Sequence, residues 1–103
     1  MQEERHPVLT LEDLRARRDS ILAVADKYGA SDVRIFGSVA RGEATPQSDV
    51  DILVAFPPHY KLLDQAALLM DLKDLLGVNV DVSVEANLKD TVREHVLKDA
   101  VPL

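Results

Sequence analysis

From Thr10 onward, apolar positions recur at intervals of three and four: Leu11, Leu14, Ile21, Leu22, Ala25 and Tyr28. That spacing predicts one amphipathic helix with this set as its buried face. Thr10 with Asp13 three residues later approximates a capping box at its start, and Gly29 stands where such a helix ends. Arg15, Arg17 and Arg18 fall mostly off the stripe and read as a solvated face. Residues 1–7 are polar, residues 1–9 read as a loose N-terminal segment, and residues 10–103 read as one domain.

The pattern then changes from helical to alternating. Residues 32–36 predict a first strand, and residues 37–41 a short helix. Thr45-Pro46-Gln47-Ser48 reads as a loop, and residues 50–56 as a second strand halted by Pro57-Pro58. A second long helix is predicted over residues 61–76. Leu62, Ala66, Leu69, Met70, Lys73 and Leu76 form its stripe, Leu63 and Leu72 widen it, and Gly77 caps its end. Met70 reads as core packing. Residues 78–84 alternate strictly, with Val78, Val80, Val82 and Val84 on one face and Asn79, Asp81 and Ser83 on the other. A last helix over residues 88–97 carries Leu88, Val92 and Val96 as its stripe. The apolar tail, residues 100–103, either packs on the domain or covers a partner. The expected fold class is α/β (α+β): a small mixed sheet packed with helices.

Candidate chemistry concentrates between residues 33 and 56. An apolar run ends abruptly at Gly37-Ser38, and after ten intervening residues Asp49-Val50-Asp51 heads another apolar strand. Alternation puts Asp49 and Asp51 on one face, opposite Val50 and Ile52. Two adjacent carboxylates repel each other, and a divalent cation between them removes the repulsion. Glycine lets backbone approach a bulky anion, a helix starting there aims N–H groups at phosphate, and the Ser38 hydroxyl adds a donor. The spacing is not that of a Walker loop. Arg41 is a further phosphate donor or a surface partner of Glu43, and Glu43 itself reads as a surface charge. Asp81 alone would be an ordinary polar strand residue; beside Asp49 and Asp51, a third carboxylate on a neighbouring strand completes an oxygen-rich cation site. His6, His59 and His95 have no paired metal spacing and read as surface or packing residues.

The text GSVARGEATPQSDVDILV resembles the signature of the DNA polymerase beta-like nucleotidyltransferases, in particular their minimal branch, the MNT proteins, known as antitoxins paired with HEPN toxins. The resemblance covers nearly the whole chain. It implies a polymerase beta-like fold, ATP as substrate, and magnesium, two ions, held by Asp49, Asp51 and Asp81. It implies Gly37, Ser38 and Arg41 as nucleotide-binding residues. It also implies AMP transfer to a tyrosine of a cognate HEPN ribonuclease toxin. Two rivals stand beside it: a small-molecule transferase resembling the aminoglycoside nucleotidyltransferases, which normally carry an additional helical domain that this chain ends without, and a non-catalytic antitoxin that masks its toxin sterically.

Composition narrows these options. At 103 residues the chain supports one modest core. The absence of cysteine excludes disulfides and thiolate metal sites and suits a reducing cytoplasm. No apolar run reaches membrane-spanning length. A net charge of −6 disfavours extended nucleic-acid contact and favours a partner with a basic surface. It leaves room for a compact site for one nucleotide.

Overall fold

The computed structural model describes residues 8–103. Expectations for residues 1–7, including His6, lie outside this range. Leu9, at the end of the expected loose segment, is half-buried against the core.

Two helices replace the single one expected after Thr10: α1 (Leu11–Ala16) and α2 (Arg18–Lys27). Thr10 and Asp13 form a complete capping box, with bonds of 3.0 and 3.1 Å. The chain breaks at Arg17, whose backbone leaves the helical region. Leu14 and Ile21 are both fully buried, but every residue from Arg15 to Ser20 is exposed. Nothing in that turn packs inward to keep the helix straight. Two of the three arginines expected to form a solvated face are exposed but tethered, and Arg18 is exposed as expected. Arg15 Nη2 donates to the Pro102 carbonyl at 2.7 Å, and Arg17 Nη1 to the Leu75 carbonyl at 3.0 Å. The helix break therefore anchors two distant chain segments.

The remaining elements are β1 (Ser31–Phe36), α3 (Gly37–Arg41), β2 (Val50–Ala55), α4 (Leu62–Leu76), β3 (Val80–Val84), a 3-10 turn (Glu85–Asn87), α5 (Asp90–Asp99) and β4 (Val101–Pro102). The sheet order is β3-β2-β1-β4. β1 runs antiparallel to β2 and to β4, whereas β2 and β3 are parallel, with α4 as the crossover between them. This is the expected mixed sheet. The apolar tail is part of the domain: β4 pairs with β1, the Leu103 N–H donates to the Val33 carbonyl at 3.2 Å, and Leu103 is only 8% exposed.

One face of the sheet carries the core. Val33, Ile35, Val50, Ile52, Val54, Val80, Val82 and Val84 meet Leu14, Ile21, Ala25, Leu68, Leu72 and Leu76 from the helices. The inward stripe of α4 is thus Leu68, Leu72 and Leu76, at i, i+4 and i+8. The stripe expected from the sequence is rotated around the helix. Leu62 is 76% exposed, Leu63 78% and Met70 55%, so Met70 is not a core residue. In a segment reading LLDQAALLMDLKDLL, apolar side chains occupy most of the helix surface, and periodicity alone does not select the buried side.

Candidate active site

The alternation that builds the core face puts Asp51 and Asp81 on the other face of the sheet. They are register partners on the parallel strands β2 and β3, so their carboxylates project side by side from adjacent strands. Phe36, the last residue of β1, is the partner of Asp51 on the opposite flank. The next residue, Gly37, therefore begins α3 directly against Asp51.

That contact explains the glycine. Gly37 has φ +72°, a left-handed conformation, and a Cβ at this position would run into Asp51 Oδ2. The backbone at the head of α3 and the carboxylate thus share a space that admits no side chain. Ser38 follows in the first turn of α3, half-buried. The helix stops after five residues at Gly42, also left-handed, with the Glu43 N–H donating to the Ser38 carbonyl at 2.8 Å.

Asp49 lies one residue before β2 and is exposed. The loop that delivers it is held by its own side chains. The Thr45 N–H donates to Ser48 Oγ at 2.9 Å, and the Ser48 N–H returns a bond of the same length to the Thr45 carbonyl. The Val50 N–H then donates to the Asn79 carbonyl at 3.0 Å, which fixes the start of β2 beside the start of β3. Thr45 and Ser48 read as loop residues in the sequence, but their reciprocal bonding was not legible there.

The carboxylates feel one another. Burial, then the negative charge of Asp81, then that of Asp49, push the Asp51 carboxyl up to about 6; the Arg41 guanidinium opposes the shift. Burial contributes most to this shift, and the two neighbouring carboxylates add to it. The donors are all oxygens, as magnesium requires, and they do not form a closed cage: among the described residues no three His, Asp or Glu side chains converge as a ready-made metal cluster. Magnesium usually binds through one or two carboxylates, with substrate phosphates and water completing its shell. The residues present therefore fit a magnesium–nucleotide complex better than a resident ion.

Arg41 ends α3 and donates from Nε to Glu43 Oε1 at 3.0 Å, and from Nη1 to Asp99 Oδ2 at 2.6 Å. The Glu43 contact was one of the two readings open in the sequence; the Asp99 contact, across 58 residues, had no local signal. Glu85, another acid near the end of β3, is committed to Arg34 at 2.7 Å. His59 and His95 are exposed. A cleft of about 690 Å³ opens between Val39, Thr45, Gln47, Ser48, Val50 and Asn79, and none of the three aspartates lines it.

A small mixed sheet with paired aspartates at the head of β2, a third on β3 and a glycine-led helix against them defines a nucleotide-transfer fold. The chain matches the nucleotidyltransferase domain family over residues 18–103 and belongs to that family. It is 37% identical over 99 residues to protein adenylyltransferase MntA of Thermococcus cleftensis, covering 91% of this chain and 96% of the relative. A solved structure assigned as a minimal nucleotidyltransferase is 52% identical, with a TM-score of 0.81 over 92% of this chain and 97% of the other. The same fold recurs at 16% identity and TM-score 0.67 in a complex of a tri-AMPylated Shewanella oneidensis HEPN toxin with its MNT antitoxin, over 85% of this chain and 69% of the other. The protein is an enzyme of the minimal, MntA-like nucleotidyltransferase type.

Proposed function

We propose that this protein transfers AMP from ATP to a tyrosine hydroxyl of a cognate HEPN ribonuclease toxin in the cytoplasm, and neutralises that toxin as its antitoxin. The observation that carries the chemistry is the register pairing of Asp51 with Asp81, with Gly37 pressed against Asp51. Support for a protein acceptor comes from the name of the Thermococcus relative, which is matched over nearly all of both chains, and from the AMPylated toxin held by the Shewanella antitoxin. No helix among the described residues is long and apolar enough to cross a membrane. The acidic balance of the chain favours a partner with a basic surface over direct nucleic-acid contact.

In this reading Asp49 and Asp51 would hold magnesium once it arrives with the triphosphate, and Asp81 would add a third oxygen to that complex rather than to a preformed cage. Bound there, magnesium supplies positive charge that polarises the phosphates and lowers the barrier to an in-line displacement. Gly37 and Ser38 hold the β- and γ-phosphates, by close backbone approach and by the Ser38 hydroxyl. Arg41 adds a donor to the phosphates. Asp81 accepts the proton of the incoming hydroxyl. The hydroxyl oxygen then bonds to the α-phosphorus, the bond from that phosphorus to the bridging oxygen breaks, and pyrophosphate leaves with the bridging electron pair. Positioning and electrostatics account for the acceleration.

Co-expression with the product of the adjacent gene, followed by intact-mass spectrometry of that partner, tests the proposal. We expect one or more AMP increments that vanish when Asp49 and Asp51 are replaced. A partner that is neutralised without modification would establish steric masking instead. Adenylylation of an aminoglycoside with no protein partner bound would establish the small-molecule reading.

A further inference from the structure

Arg41 is gripped by two carboxylates of unequal standing. Glu43 is two residues away on the surface loop, and its side chain is 66% exposed. Asp99 is the last residue of α5, 58 positions away, and its side chain is 28% exposed. α5 packs against both α3 and β1, and after Ala100 the chain enters β4. The pairing of β4 with β1 and the burial of Leu103 tie that end of α5 to the sheet. The Asp99 carboxylate therefore belongs to the fixed frame of the domain, whereas that of Glu43 does not.

A long arginine side chain loses rotamer entropy on becoming ordered. A charge-assisted bond of 2.6 Å to a fixed acceptor orients the planar fork before any ligand arrives. Of the five guanidinium N–H donors, one on Nε and one on Nη1 are engaged. Among the described residues the rest have no partner and can meet an anion. The other end of the same five-residue helix is Gly37, against Asp51, so the orientation of Arg41 is set relative to the carboxylates.

We propose that Asp99 is a positioning residue for nucleotide binding: from the end of α5 it holds Arg41 so that the free guanidinium N–H groups meet the triphosphate of ATP. This deepens the proposed function and rests on its assignment of Arg41 to the phosphates. Asp99 touches no substrate and acts through Arg41 alone. The opposite role is a competitor, a carboxylate that phosphate must displace, and the two roles predict opposite signs.

The test is calorimetric titration of ATP with magnesium into the wild type, Asp99→Ala, Asp99→Asn, Arg41→Ala and the double variant Arg41→Ala/Asp99→Ala. Melting curves check folding, and Asp99→Ser replaces the alanine variant if the latter does not fold. Asp99→Ala is expected to weaken binding about five- to fiftyfold, within the range found for coupled neighbouring residues. Asp99→Asn keeps an acceptor oxygen and should recover most of the affinity. In the Arg41→Ala background the Asp99 change should add nothing, because the group it positions is gone. In turnover, KM for ATP should rise with a much smaller change in kcat. Unchanged or tighter binding by folded Asp99→Ala overturns the inference, as does an equal loss in the Arg41→Ala background. A wild type that binds no ATP would instead remove the proposed function itself.

Discussion

Gly37 and Asp51 occupy one another's space: the left-handed glycine at the head of α3 lies where any Cβ would meet Asp51 Oδ2. The sequence suggests only that this glycine admits a phosphate, and on that basis Gly37→Val should impair ATP binding more than folding. The structure adds that a side chain here displaces the carboxylate as well. Gly37→Ala should cost about 1–2 kcal/mol from the left-handed backbone alone. Its AMP transfer should fall by far more than its folded fraction. Activity measured beside a melting curve checks this, and a folded variant with normal transfer would separate Gly37 from the site.

Asp51 gives a pH dependence with a definite sign. Its folded-state carboxyl is raised from 3.8 to about 6, so the folded protein holds that proton more tightly than the unfolded chain. The stability this contributes is full below about pH 4 and is lost as pH rises through about 6. Asp51→Asn should therefore stabilise the metal-free protein at pH 7.5, by about 1–3 kcal/mol after allowing for solvent screening, and leave it little changed at pH 4. Transfer should vanish in this variant and in Asp49→Asn. Melting curves in chelator at the two pH values decide the first point; an Asp51→Asn protein less stable than wild type at pH 7.5 would contradict the cost of burying that charge beside two others.

Asp81 should separate binding from turnover. On the proposed roles, Asp49 and Asp51 should keep ATP with magnesium bound when Asp81 becomes alanine, and the attacking hydroxyl should lose its proton acceptor. We expect affinity for ATP within about threefold of wild type and a loss in kcat of about 10²-fold or more. Glu85, the next candidate, is paired with Arg34 at 2.7 Å and is not expected to substitute. Glu85→Gln should leave most transfer intact, and a collapse of activity there would return the base assignment to Glu85.

The rotated stripe of α4 predicts a contrast in stability. Leu68 is fully buried and Met70, two residues on, is 55% exposed. Leu68→Ala should cost about 2–5 kcal/mol through lost burial and a residual cavity. Met70→Gln should stay within about 0.5 kcal/mol, as a surface change does. Denaturant titration of the two variants measures both; a large loss in Met70→Gln would restore the stripe expected from periodicity.

Much of the candidate site is legible in sequence because alternation along a strand is a local property. Asp51, inside β2, must face away from Val50 and Ile52, whatever that strand packs against, and Asp49 precedes the strand by one residue. Gly37-Ser38 at a strand end is equally local, as is the capping box of Thr10 and Asp13. The choice among chemically equivalent options is not local. The buried side of α4 was set by the sheet it covers, since its leucines satisfy more than one stripe. The break at Arg17 follows from exposed residues that give the middle turn nothing to pack on. The tail became β4 because the edge of β1 had unpaired backbone groups to offer it. Asp99 met Arg41 across 58 residues because α5 crosses onto α3. Contacts between distant segments depend on which surfaces burial brings together, and a repeating local pattern carries no information about its eventual neighbour.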